Sequence, residues 1–129
     1  MSSYGFSKTV AMGFDEAVEK VTDALQREGF GVLTTIDVQA TLKKKLGLDT
    51  ERYLILGACN PQFAHRALEA EPELGLLLPC NAIVYEDKGG EVHVAVLDPV
   101  RALSIVDNPA LAPIAAEVRE RLQRAIENV

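Results

Sequence analysis

The sequence predicts an α+β fold: a mainly antiparallel sheet of five strands with two long helices on one face. Three observations carry this reading. Five segments are rich in β-branched and aliphatic residues at strand spacing. Two segments, Asp15 to Glu28 and Pro109 to Asn128, each carry a single apolar stripe, so each can cover only one face of a partner. Asp87–Lys88–Gly89–Gly90 between the last two strands is a hairpin turn by composition, which makes that pair antiparallel.

Taken in order, Ser3 to Val10 alternates Tyr4, Phe6, Lys8 and Val10 with Gly5, Ser7 and Thr9, the period of a half-buried strand. In the first long helix, Ala17, Val18, Val21, Ala24 and Leu25 recur at spacings of three and four. Asp15 and Glu16 suit the positive end of its dipole, and Gly29 suits a left-handed cap. Phe30 to Ile36 is the second strand, with Phe30, Val32, Thr34 and Ile36 on one side and Gly31, Leu33, Thr35 and Asp37 on the other. Asp37 can cap a short helix, Val38 to Leu46, that Gly47 ends.

Tyr53 to Ala58 is apolar on both sides, as a central strand is. Asn60 is a natural N-cap, and Pro61 fits the first helical position, where its missing N–H has no partner to lose. A second short helix runs from Gln62 to Ala70, with Phe63, Ala64, Ala67 and Leu68 inward. Leu74 to Leu78 bridges to Pro79, and Ala82 to Glu86 is the next strand. Glu91 to Leu97 returns from the hairpin with Val92, Val94 and Val96 on one face and His93, Ala95 and Leu97 on the other. A loop leads to Asn108–Pro109, read as the cap of the last helix, whose stripe is Leu111, Ile114, Ala115, Val118, Leu122 and Ile126. No repeat, low-complexity tract or linker interrupts residues 1–129, so one domain is expected.

Composition narrows the function. The chain has 129 residues, no Trp and a net charge of −6. A phosphate backbone or an anionic membrane surface needs clustered Lys and Arg, and the one basic run, Lys43–Lys44–Lys45, is a solvated helix face. Nucleic acid and membrane are therefore not expected partners. The longest uncharged apolar run, Leu74 to Tyr85, falls short of the roughly 20 residues that span a bilayer. The N-terminus lacks the basic start and apolar core of a secretion signal. A soluble cytoplasmic protein with both cysteines reduced is expected.

No GxSxG, Walker or GxGxxG motif occurs, so no catalytic machinery and no cofactor are predicted. The chemistry-bearing residues gather in two near-mirrored turns, CNP at Cys59–Asn60–Pro61 and PCN at Pro79–Cys80–Asn81. Cys59 lies before a helix N-terminus, where backbone N–H groups can lower a thiol pKa. Cys59, Asn60, Cys80, Asn81 and Asp98 are the candidate pocket residues. For Asp98, at a strand end before Pro99, capping the next turn is the competing role. The spacing of two Cys and two His does not fit a structural zinc site, and no metal is predicted. Three function classes follow: a ligand-binding or accessory module with its pocket near these turns, a thiol-based redox or metal-handling protein using Cys59 and Cys80, or a purely structural interaction domain.

The stretches GFGVLTTIDVQATLKKKLG, ILGACNPQFAHRALEAEPELGLLLPCNAIVYE and VAVLDP resemble the domain-of-unknown-function family numbered 302, DUF302, over nearly the whole chain. The resemblance implies a β-α-β(4)-α arrangement like that of the TATA-binding protein, and a homodimer. It implies no activity. The dimer has a reason of its own in the sequence. If both long helices cover one face of the sheet, the two-sided apolar strand leaves a patch on the other face that a second copy would bury. Leu33 and Thr35, with one parity each of Tyr53 to Ala58 and Ala82 to Tyr85, are expected there.

Overall fold

A computed structural model describes residues 3–129. Its strands are β1 (Gly5–Val10), β2 (Gly31–Asp37), β3 (Tyr53–Cys59), β4 (Cys80–Glu86) and β5 (Val92–Leu97). Its α-helices are α1 (Phe14–Arg27), α2 (Val38–Leu46), α3 (Pro61–Ala70), α4 (Pro99–Ala102) and α5 (Leu111–Glu127). The strands form one sheet in the order β1-β5-β4-β3-β2, every neighbouring pair antiparallel.

The predicted helix faces are the buried ones. Ala17, Val21, Ala24 and Leu25 of α1 and Leu111, Ile114, Val118 and Leu122 of α5 join Val92, Val94, Val96, Ala82 and Val84 of the sheet in one core. The two helices touch each other and both lie on strand β5, which puts them on the same face. Lys8 points to this face beside Val94, and its ammonium donates to the backbone oxygens of Glu127 (3.3 Å) and Val129 (2.6 Å). A cation thus sits where the dipole of α5 is negative.

The caps follow the local chemistry. Asp37 accepts from the Ala40 amide at 2.9 Å, and Gly47 closes α2 at φ +68°. Asn60 accepts from the amides of Gln62 and Phe63 at 3.1 and 3.3 Å, with Pro61 at the first position of α3. Asp87 staples the β4–β5 hairpin by accepting from Gly89 and Glu91 at 2.9 and 3.0 Å.

Several sequence expectations need correction. Ser3 and Tyr4 form a turn, and β1 begins at Gly5. Pro72–Leu77 is a 3₁₀ segment, not a plain bridge. The stretch after Asp98, expected as loop, holds α4 and a second 3₁₀ turn, Leu103–Ile105. Helix α5 starts at Leu111 after Ala110. Asn108 caps the turn that leads into it: its side-chain oxygen accepts from the Ala110 amide at 3.0 Å, while its side-chain nitrogen donates to Ala70 O (2.9 Å) and Glu71 Oε1 (3.1 Å), tying the approach to α5 onto the end of α3.

The alternation assigned to β2 also fails. A register shift between Val32 and Thr34 inserts one residue, and everything beyond it changes sides. Thr35 therefore lies opposite Leu56 of the helix-covered set. Ile36, opposite Ile55, takes the open face, where it is 50% exposed. Leu33 occupies the bulge without a partner in the ladder.

Strand pairing puts Ile36, Ile55, Ile83, Ala95 and Ser7 in one row across the open face, with Tyr53, Tyr85, His93 and Thr9 in the next. The rings of Tyr53 and Tyr85 stack at 5.3 Å between centroids, and Tyr85 stacks on His93 at 5.0 Å. The open face is thus aliphatic in one row and aromatic in the next.

Candidate functional site

The CNP and PCN turns meet because β3 ends where β4 begins. Ala58 lies directly opposite Cys80, so Cys59 and Pro79 are the next positions past the last paired residues. Helix α3 leaves Cys59 through the Asn60 cap, the 3₁₀ segment brings the chain back, and the Leu78–Pro79 peptide bond, which is cis, leads into Cys80.

Between these turns, α3 and α5 lies a cavity of about 370 Å³. Its walls come from the strand ends (Phe30, Ala58, Cys59, Cys80), the inner side of α3 (Phe63, Ala64, Ala67, Leu68), the 3₁₀ segment and its exit (Leu74, Gly75, Leu78, Pro79) and α5 (Ile114, Ala115, Val118). Ala58, Ala64, Ala67, Gly75 and Ala115 stand at positions where a larger side chain would occupy that space. No lining residue carries a charge.

Gly57 borders this region. On one side its partner is Thr34, on the other Asn81. A Cβ here would collide with Thr34 Oγ1 and lie 2.9 Å from Pro79 Cγ. The chain can close over β3 at this point only because residue 57 has no side chain.

Of the five candidate residues, three converge. Cys59, Asn60 and Cys80 all line the cavity. Asn81 does not: it belongs to the open face of the sheet and lines a separate groove of about 500 Å³ with Tyr4, Tyr53, Tyr85 and Leu97. One residue past Cys80, the alternation of the strand turns its side chain the other way. Asp98 does not line the cavity either. It is buried as the cap of α4, accepting from the Val100 amide at 3.0 Å, and Arg119 Nε lies 3.3 Å from its other oxygen. Its neighbour Pro99 reaches the cavity instead.

Both cysteines are free and half-buried. The helix N-terminus does not activate Cys59, because burial pushes its thiol pKa up. Burial, reinforced by the neighbouring Cys59, pushes Cys80 up to about 11. At neutral pH the pair presents two S–H groups, poor nucleophiles and weak hydrogen-bond partners.

Among the described residues, one set of His and carboxylate side chains is close enough to share a metal ion: Asp87, Glu91 and His93, on the hairpin and away from the thiols. Counting only Cys and His misses it. Two of its three side chains already have structural partners. Asp87 Oδ2 and Thr9 Oγ1 lie 2.7 and 2.9 Å from the two ring nitrogens of His93, while Asp87 Oδ1 holds the turn. Sequence reading also missed the α5 wall. The available signal was the pair of inward alanines on α3, which cannot fill the space between α3 and the sheet.

The family model described as "Domain of unknown function DUF302" matches residues 6–129. A crystal structure of an uncharacterized conserved protein DUF302 from Bacillus stearothermophilus superposes with a TM-score of 0.90 at 33% identity, covering 98% of each chain. The protein named fluoride-specific ion channel FluC 1 of Brucella suis biovar 1 (strain 1330) is 34% identical over 85 residues, 65% of this chain and 33% of that protein. FluC 1 of Brucella abortus biovar 1 (strain 9-941) matches over 85 residues as well, 31% of its length. The match spans about a third of these curated relatives.

Proposed function

Because the chain belongs to the family described as domain of unknown function DUF302, we propose, from the geometry itself, that it is a small-molecule binding module acting as a homodimer in the cytoplasm, as one domain over residues 1–129. The cavity between the CNP and PCN turns, α3 and α5 carries the binding half of this reading. At about 370 Å³ it lies in the range of ordinary ligand pockets. Cys59, Asn60 and Cys80 form its polar fringe. The open sheet face, with Ile36, Ile55, Ile83, Tyr53 and Tyr85 in adjoining rows, supports a second copy as the partner.

The likeness to part of the Brucella channels supports an accessory role. No helix among the described residues is long and apolar enough to cross a membrane. On this reading, the matching third of those proteins is a module carried beside the part that forms a channel. The thiol-based alternative is weaker, since both thiols are held protonated.

A thermal-shift screen of small molecules tests the binding reading. A ligand binding only the folded state raises Tm by mass action. Stabilising compounds should act on the wild type and lose their effect in Ala64→Phe, which fills the cavity. Compounds that stabilise both proteins equally would overturn the assignment.

A further inference from the structure

We propose that the cavity takes a neutral lipophilic molecule of roughly 12–15 non-hydrogen atoms, with at most one uncharged polar head seated beside Thr34 and Cys59. This rests on the binding-module reading above and names its ligand class.

Size is set by volume. An apolar cavity of about 150 Å³ holds one benzene. The space here, about 370 Å³, scales to between two and three such rings, or an aliphatic chain or terpenoid-sized skeleton of similar bulk.

Charge is set by the walls. Of the residues lining the cavity, only Thr34, Cys59, Asn60 and Cys80 have polar side chains, and none of the lining is ionic. A carboxylate, phosphate or ammonium entering the cavity would lose its hydration and meet no counter-charge. Asn60 cannot replace the lost water well. Its carboxamide oxygen is committed to the amides of Gln62 and Phe63, and its nitrogen packs against Gly29, 2.8 Å from where a Cβ of that glycine would stand. The guanidinium groups of Arg66 and Arg121 lie 5.5 and 5.2 Å from the Phe63 ring centroid, and neither lines the cavity. What remains for a head group is a hydroxyl, two protonated thiols and the Asn60 side-chain N–H, all uncharged, which suit an alcohol, ketone or ester.

The test is fluorescence titration of the full-length protein with the neutral probe N-phenyl-1-naphthylamine, followed by competition at pH 8 with 1-decanol, decanoate and decylamine. The expected result is saturable probe binding, displaced by decanol at a concentration at least ~10-fold lower than either ion requires, a difference of about 1.4 kcal/mol. Ala64→Phe should weaken probe binding by ~10-fold or more, with Ala64→Leu between it and wild type, so a folding defect in one variant does not decide the matter. Displacement by decanoate or decylamine as readily as by decanol would overturn the ligand class and leave the binding module standing. Probe binding unchanged in both folded variants would place the site elsewhere and overturn both.

Discussion

Replacing Gly57 with Ala should destabilise the protein, and the sign of the effect is the informative part. Gly57 is not one of the glycines with positive φ, so its backbone conformation is open to alanine. Were the site roomy, Ala would stabilise the fold by about 0.4–1 kcal/mol through a less flexible unfolded chain. The structure says otherwise. The new methyl would collide with Thr34 Oγ1 and stand 2.9 Å from Pro79 Cγ. Thr34 is exposed and can turn away, but the Pro79 ring is fixed to the backbone. Overpacking of this kind costs about 1–3 kcal/mol. For a chain of this size that is a fall of roughly 3–10 °C in Tm. Thermal and urea melts followed by far-UV circular dichroism measure it. Thr34→Ala, which removes the hydroxyl that can turn away, should leave most of the loss in the double variant, because the Pro79 contact remains. A Gly57→Ala protein as stable as wild type would refute the described closure over β3.

The other predictions are these. Asn60→Ala should cost about 1 kcal/mol by removing the α3 cap, seen as a lower urea midpoint with unchanged slope. Cys80 has a raised pKa in the folded state, so the unfolded chain loses that proton first. Stability should therefore fall as pH rises from about 9 towards 11, by up to ~2–3 kcal/mol, and urea melts of Cys80→Ala should lack that part of the slope. Sedimentation equilibrium should give a dimer mass at micromolar concentration in low and high salt. Ile83→Glu on the open face should shift it to monomer; a monomeric wild type would end the dimer reading, and dissociation by salt alone would show that its interface is not apolar.

What the sequence could and could not tell follows from the range of the interactions involved. Helix stripes, the Asp37 and Asn60 caps and the Asp87–Gly90 hairpin are set within a few residues, and all were legible. The bulge in β2 was not. Nothing near Val32 to Thr34 marks it, and the one-residue slip reverses the sides of Thr35 and Ile36. The two half-sites were legible as motifs. Their convergence depends on strand pairing, and the register of Ala58 with Cys80 supplies it. Asn81 parts from the other motif residues for a local reason: one step along a strand faces the other way. Asp98 was assigned a pocket role when the competing role, capping, is the one its hydrogen bonds show. The thiol pKa of Cys59 depended on burial that only the folded chain creates. The α5 wall was marked only indirectly, by the inward alanines of α3, because Ile114 and Ala115 meet α3 across more than forty residues of chain.

Mapping a bound ligand by amide chemical shifts tests the central claim most directly. With ¹⁵N-labelled protein and N-phenyl-1-naphthylamine, the largest shifts should fall on Cys59, Phe63, Ala64, Ala67, Cys80 and Ala115, which surround the cavity on three sides. Shifts centred instead on Tyr53, Tyr85 and Leu97, across the sheet, would contradict it, as would saturating probe that moves no amide of the first group.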